Sequence, residues 1–364
     1  MKTRPVAKKK TAQPTPTRVN IITAKENDNK IKIEAMGTVK PALNVEIKSQ
    51  VSGEIIYVSP NFVPGGRFEK GEVIIKIDPR DYELAVKQKK QELTQAKANL
   101  RLEYGQQSIA KKEYELLGES ISKEDEEFVL RKPQLLKAEA EVERLEAQLD
   151  EAKLNLERTV IKASFNSTVQ QRYVNLGSSV NSGGELVSLY GTDEYWVEIS
   201  LPVDELRWIR IPESIESKGA TAKVFIPGST NDSYKQGHVF RLRSELETQG
   251  RMARILISVS KPLLSKRDDT TEPPLLAGSF VRVEIEGTTL KDSIKIPRRA
   301  LRDNNKIWIN NNNKLKVREI SPIYKDSNYI YTIEGIENGE KVITSDIASP
   351  IEDMILKIEE NEQQ

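Results

Sequence analysis

The chain has 364 residues, 37% hydrophobic and 30% charged, and its 56 basic against 55 acidic residues leave a formal net charge of +1. It contains no cysteine and one histidine, His238. These counts predict two to four soluble domains and exclude thiol nucleophiles, disulfides, thiolate metal sites and clusters of imidazole ligands. The balanced charge argues against the single-signed surface of a nucleic-acid binder.

Met1 to Asn20 is basic and rich in Pro and Thr, and reads as a disordered tether with neither a signal-peptide core nor a spanning segment. Short alternating segments follow, Ile31 to Ala35 and Val45 to Lys48, and then Gly-punctuated strand material up to Asp78. From Pro79 to Arg158 the composition turns to Ala, Leu, Glu, Lys and Gln, with only Pro79, Pro133, Gly105 and Gly118 as breakers.

Leu135, Val142, Leu149 and Leu156 lie seven apart, with Ala138, Leu145 and Ala152 three residues after the first three of them; Val86, Leu93, Ala96 and Leu100 form a weaker counterpart. This is the seam of a coiled coil. Gly118 stops the first helix, and Ser122, with Asp125 three residues on, caps the next. The region is predicted to be a helical hairpin with arms of about 35 to 40 residues, each roughly 50 to 60 Å long. Gly105 and Pro133 sit at similar heights in the two arms and predict a local bend, either a tolerated flaw or a hinge.

After Arg158 the strand pattern repeats the one before the hairpin. Ile161 to Val169 matches Ile47 to Ile55 at a constant offset of 114, and Gly183-Gly-Glu185-Leu-Val187 echoes Gly71-Glu-Val-Ile. The hairpin is therefore an insertion between two halves of one small β module. Strands at Val197 to Leu201, Ile255 to Val259 and Val281 to Ile285, with a short helical segment at Asp204 to Ile209, suggest a β-barrel. Lys261 to Pro274 reads as a mobile polar loop. Short strands from Ile296 onward form a last β domain.

No catalytic constellation emerges. Glu141, Glu143, Glu146, Asp150 and Glu151 alternate with Lys and Arg as solvated helix faces, and His238 reads as a barrel surface residue. Pro64-Gly-Gly66 lacks the pattern of a phosphate loop. The chain reads as a structural and interaction protein without cofactor, metal or catalytic residues. The repeated module is similar to a biotinyl/lipoyl domain, but the turn that would present a modified lysine is replaced by the hairpin, so carrier function is excluded by topology.

The order of these parts resembles the periplasmic adaptor subunits, or membrane fusion proteins, of tripartite efflux pumps. The resemblance rests on Gly37-Thr-Val39-Lys-Pro41, Val51-Ser-Gly53, Gly71 to Asp78, Leu116-Leu-Gly118 with Ile121-Ser122, Gly177 to Leu186, Leu276 to Val281 and Ile296 to Leu301. It implies a mainly β protein with a long α-helical coiled-coil hairpin. The implied domains are a tether over 1–20, a membrane-proximal β domain over 21–36 and 292–364, and a β-barrel over 37–44 and 193–291. A split lipoyl-like domain over 45–78 and 159–192 and the hairpin over 79–158 complete the set.

Medium hairpin arms point to the resistance-nodulation-division type. The implied partners are a proton-driven inner-membrane transporter, a TolC-like outer-membrane channel and further copies of the chain in a ring, hexameric in the family. The alternatives are an adaptor of an ATP-binding-cassette exporter or type I secretion system, and a cytosolic coiled-coil scaffold. The implied location is the periplasm, with an inner-membrane anchor ahead of residue 1. In the family an Arg-x3-Leu-x6-Ser pattern contacts the channel. Here Lys112, Leu116 and Ser122, with Leu117, are the counterparts, Lys standing for Arg and one residue fewer before the serine. Helix-end packing and capping would also account for them.

Overall fold

The structure, a computed structural model, describes residues 16–117, 122–214, 217–228, 233–247, 250–263 and 274–359. The chain divides into two compact units, one made mainly of Lys40–Tyr195 and the other of the segments on either side of it.

The internal repeat is a pseudo-twofold pair of strand sets. Asn44–Lys48, Gly53–Val58, Arg67–Phe68 and Val73–Ile77 form the first set; Val160–Lys162, Ser167–Arg172, Ser179–Val180 and Glu185–Gly191 form the second. Neither set makes a sheet of its own. One four-stranded sheet takes the second and fourth strands of the first set and the third and first of the second, and the other sheet takes the reverse. Equivalent glycines make equivalent turns. Gly71 and Gly183 have φ of 89° and 88°, and each donates its N–H at 2.7 Å, to the carbonyls of Ala163 and Ser49, which are 114 residues apart. Ile55, Phe62, Ile75, Val169, Leu186 and Leu189 share the core between the two sheets.

The hairpin leaves and re-enters this module through adjacent backbone. The Ile77 N–H donates to the Thr159 carbonyl at 2.8 Å, and the Tyr82 hydroxyl in the first helical turn donates to the Ser52 carbonyl at 2.7 Å. Helix α1 spans Arg80–Leu117; the return arm is two helices, α2 at Lys123–Val129 and α3 at Lys132–Glu157. Asp78 starts α1 by accepting the Arg80 N–H at 3.1 Å, and the Arg80 guanidinium holds the Asp78 carboxyl below the usual carboxylate range. Leu93, Ala96, Val142, Leu145 and Leu149 form the buried seam, flanked by Val86 and Leu100. This is the predicted heptad in both arms.

The expected bend is realised on one side only. α1 passes through Gly105 without interruption, because a glycine costs a helix only about 1 kcal/mol. The return arm breaks between α2 and α3, where Arg131 adopts the left-handed conformation at φ 53° ahead of Pro133. A proline's ring clashes with the preceding turn, so it is accepted only at a helix start. The predicted stop at Gly118 lies outside the described residues, as do positions 264–273 of the predicted polar loop and residues 1–15 of the predicted tether.

In the other unit, six strands close into a barrel. They run in the order Thr221–Phe225, Tyr234–Leu246, Ala253–Ser260, Glu194–Leu201, Glu26–Pro41 and Phe280–Pro297, the last pairing back to the first. Alternate residues point inward, among them Ile31, Ile33, Val197, Ile199, Val224, Ile257 and Val283, all fully buried. Two predicted boundaries move. Residues 31–36, expected in the membrane-proximal domain, line the barrel, because Glu26–Pro41 is one strand with no turn residue to mark a division.

The tether does not extend to residue 20. Thr17–Val19 is a strand parallel to Leu356–Ile358, with Val19 packed against Trp308, Leu315 and Ile343. A three-residue strand whose partner is some 340 positions away carries no periodic signal of its own. Beyond the barrel, Phe280–Pro297 pairs with Tyr329–Thr332, which pairs with Pro322–Lys325. A separate five-stranded sheet joins Ile21–Thr23 to strands of the C-terminal third.

Candidate docking face of the helical hairpin

The hairpin seam is apolar near its root and polar toward its far end. Continuing the register of Val86, Leu93, Ala96 and Leu100 up α1 reaches Glu103, Gln107, Ala110 and Tyr114, all partly covered. There the arms are joined by specific polar contacts. The Tyr104 hydroxyl donates to Glu139 at 2.6 Å, and Arg131 donates to both carboxylate oxygens of Glu103 at 2.7 and 3.0 Å. The guanidinium holds the Glu103 carboxyl below its ordinary range, and the bond to Glu139 raises the Tyr104 hydroxyl. A planar fork on a carboxylate fixes orientation as well as distance, so the helix break at Arg131 is held against α1.

Two residues further round α1, about 200° from the seam at 100° per residue, lies a second heptad row. Leu102, Gly105, Ile109, Lys112 and Leu116 follow one another at spacings of three and four. Leu102 is 66% exposed, Ile109 59% and Leu116 87%. Among the described residues, nothing beyond the adjacent residues and backbone of α1 itself lies within 4 Å of where a Gly105 side chain would begin, so backbone is presented to solvent in the middle of the row.

Of the residues singled out from sequence, Lys112 and Leu116 thus fall on one exposed helix face. Leu117 is the last residue of α1, its side chain outside the described residues. Ser122 is the N-cap of α2: its hydroxyl oxygen accepts the Asp125 N–H at 3.2 Å and donates to the Asp125 carboxylate at 2.7 Å. The short aspartate arm takes up the serine hydroxyl where a glutamate would reach for the backbone. Sequence reasoning missed Leu102, Ile109 and Arg131. The first two carry a heptad signal that a search for a buried seam passes over, and Arg131 carries none, since its role comes from backbone geometry.

His238 lies on a barrel strand opposite Thr221 and Ser258 and is half-buried on the outer face. Among the described residues no group of three or more His, Asp or Glu is placed to hold a metal ion, and no helix is long and apolar enough to cross a membrane.

A helical hairpin inserted between the halves of a two-sheet module, with a closed barrel and sheets built from both chain ends, is an arrangement similar to that of membrane fusion proteins, the adaptors of efflux pumps. Among curated proteins the chain is similar to the efflux pump periplasmic linker BepD of Brucella suis, 26% identical over 93% of this chain and 85% of that protein. It is also similar to the multidrug resistance protein MdtA of Photorhabdus laumondii, at 24% over 90% of this chain and 79% of the relative.

Two solved structures share the fold. MacA from Actinobacillus actinomycetemcomitans superposes with a TM-score of 0.62 at 19% identity, over 89% of this chain and 99% of that one. A MacA–MexA chimera carrying the Pseudomonas aeruginosa MexA α-hairpin superposes with a TM-score of 0.56 at 18% identity, over 89% of this chain and all of the other. No family model matches the sequence.

Proposed function

We propose that this chain is the periplasmic adaptor of a tripartite pump, joining a proton-driven inner-membrane transporter of the resistance-nodulation-division type to a TolC-like outer-membrane channel for export of small molecules. The observation that carries the reading is the outward row on α1. An exposed heptad ending in Leu116 is surplus to the hairpin's own seam and suits a second helical partner, added coil to coil. In this reading Lys112, Leu116, Leu117 and Ser122 meet the channel, and the chain is anchored to the inner membrane by a segment ahead of residue 1. A heterologous contact between copies closes into a ring, six-membered by analogy with the family.

The test is co-purification from membranes of the source cell. The wild-type chain is expected to recover an outer-membrane channel and a proton-driven transporter. Leu116→Asp is expected to lower channel recovery at least tenfold without changing the melting temperature, since an 87% exposed side chain contributes little to folding. Undiminished channel recovery with Leu116→Asp would remove the docking role. Recovery of an ATP-binding-cassette exporter in place of the proton-driven transporter would reassign the pump type.

A further inference from the structure

A cavity of about 410 Å³ opens beside the barrel, between the short helical turn Val203–Trp208, the strand Glu26–Pro41 and the extension Pro322–Thr332. Its wall is aromatic. Tyr324 is nearly buried, with its hydroxyl donating to the Lys32 carbonyl at 3.2 Å and its ring edge-on to Trp208 at 5.8 Å. Tyr331 is buried beside it and donates to Asp326 at 3.0 Å.

The lining charges are unevenly satisfied. Lys32 pairs with Glu284 at 3.1 Å. By contrast, Lys295 rests on the Tyr329 ring at 3.7 Å, Arg298 donates to the Asp326 carbonyl at 3.0 Å, and Lys325 donates to the Asn305 amide oxygen at 2.9 Å. None of these three cations has a carboxylate partner among the described residues. On the other side the half-buried Glu205 carboxylate has no hydrogen-bond or ion-pair partner among the described residues, and burial raises its protonation point. Leaving a carboxylate half-dehydrated without a cation is unfavourable, and a bound ammonium group would reverse that.

From this arrangement we infer that the cavity binds a small zwitterion, its ammonium group on Glu205 and its phosphate or carboxylate group on Lys295, Arg298 and Lys325. The volume is in the range of small-molecule sites, and a neutral overall ligand matches a lining of four basic and four acidic side chains. The rings of Tyr324 and Tyr331 give the ligand's carbon atoms an apolar floor. This inference does not depend on which transporter or channel the chain meets.

The test is calorimetric titration of the full chain with O-phosphoethanolamine, ethanolamine and inorganic phosphate. Phosphoethanolamine is expected to bind at least tenfold more tightly than either half, because both ends are held at once. Glu205→Gln is expected to reduce it to the affinity of phosphate, with unchanged melting, and Arg298→Gln to reduce it to that of ethanolamine. Equal affinities for the three compounds, or no heat from phosphoethanolamine at millimolar concentration, would overturn the assignment even if a variant failed to fold.

Flotation with phosphatidylethanolamine vesicles, against vesicles of phosphatidylcholine alone, separates the sources. Selective flotation supports a lipid headgroup as the ligand. Retained binding of free phosphoethanolamine without flotation supports a soluble one.

Discussion

Truncating Leu145 to alanine isolates the contribution of the hairpin seam. Leu145 is 5% exposed and sits at the centre of a five-residue cluster with Leu93, Ala96, Val142 and Leu149. Burying a leucine is worth about 1.5 to 3 kcal/mol, and the cavity left behind adds to the loss, so leucine-to-alanine changes in cores cost about 2 to 5 kcal/mol. This seam is only two helices thick and contains alanines, so its walls relax inward and the loss belongs at the lower end, about 2 to 3 kcal/mol. The effect is expected to be local, because the apolar cluster of the hairpin is separate from the core of the two-sheet module. In hydrogen exchange, amides of α1 and α3 around the cluster should exchange about 30 to 140 times faster at fixed pH, since 1.4 kcal/mol is a factor of ten. Barrel amides should be unchanged. A loss below about 0.5 kcal/mol, or equal acceleration in a Leu116→Ala control, would refute the assignment of Leu145 to the seam and Leu116 to the surface.

Two further outcomes follow from geometry. Gly37→Ala should destabilise the barrel by about 1 to 3 kcal/mol in thermal melting. A Cβ there would lie 2.5 Å from the Glu198 carbonyl oxygen and 2.6 Å from an Ile199 methyl, so two strands must part to admit it. The Glu103–Arg131 pair should make the α2–α3 junction acid-sensitive. Because the folded Glu103 pKa is depressed, its contribution is present above the ordinary glutamate range of roughly 4 to 4.5 and disappears as pH falls through the lower folded value. Protection factors at the junction, which remove the intrinsic pH dependence of exchange, should therefore fall on acidification, and Glu103→Gln should flatten that fall while lowering protection at neutral pH.

The architecture was legible where side chains repeat on a regular period. The heptad of Leu135, Val142 and Leu149 and the 114-residue offset between Ile47 to Ile55 and Ile161 to Val169 each encode a spatial relation as a spacing. What escaped depended on distant or backbone-determined partners. The strand Thr17–Val19 exists because Leu356–Ile358 lies beside it, and the barrel–extension boundary is invisible because one strand crosses it. The hinge candidates Gly105 and Pro133 looked alike in sequence. They separate in the structure because a missing side chain leaves the helical hydrogen bond intact, whereas a ring in place of the N–H removes it. At the hairpin end, Leu116 was singled out only through the family resemblance, and the structure shows it to be exposed, while Leu102 and Ile109 on the same face went unnoticed because surface apolar residues are usually incidental.

The hydrogen bond from Ile77 to the Thr159 carbonyl has a consequence for how such a chain changes its reach. Everything between those two residues is one closed loop, and the module on the near side meets only its two ends. Closing a longer flexible loop adds about 0.6 kcal/mol per doubling of its length, and a zipped hairpin adds seam contacts to offset it. Length can therefore be gained or lost in pairs of seven-residue steps, one in each arm, without altering a strand of the module or the register of the seam. The span of the molecule and the stability of its base are thus separate variables, open to independent adjustment over evolutionary time or by design.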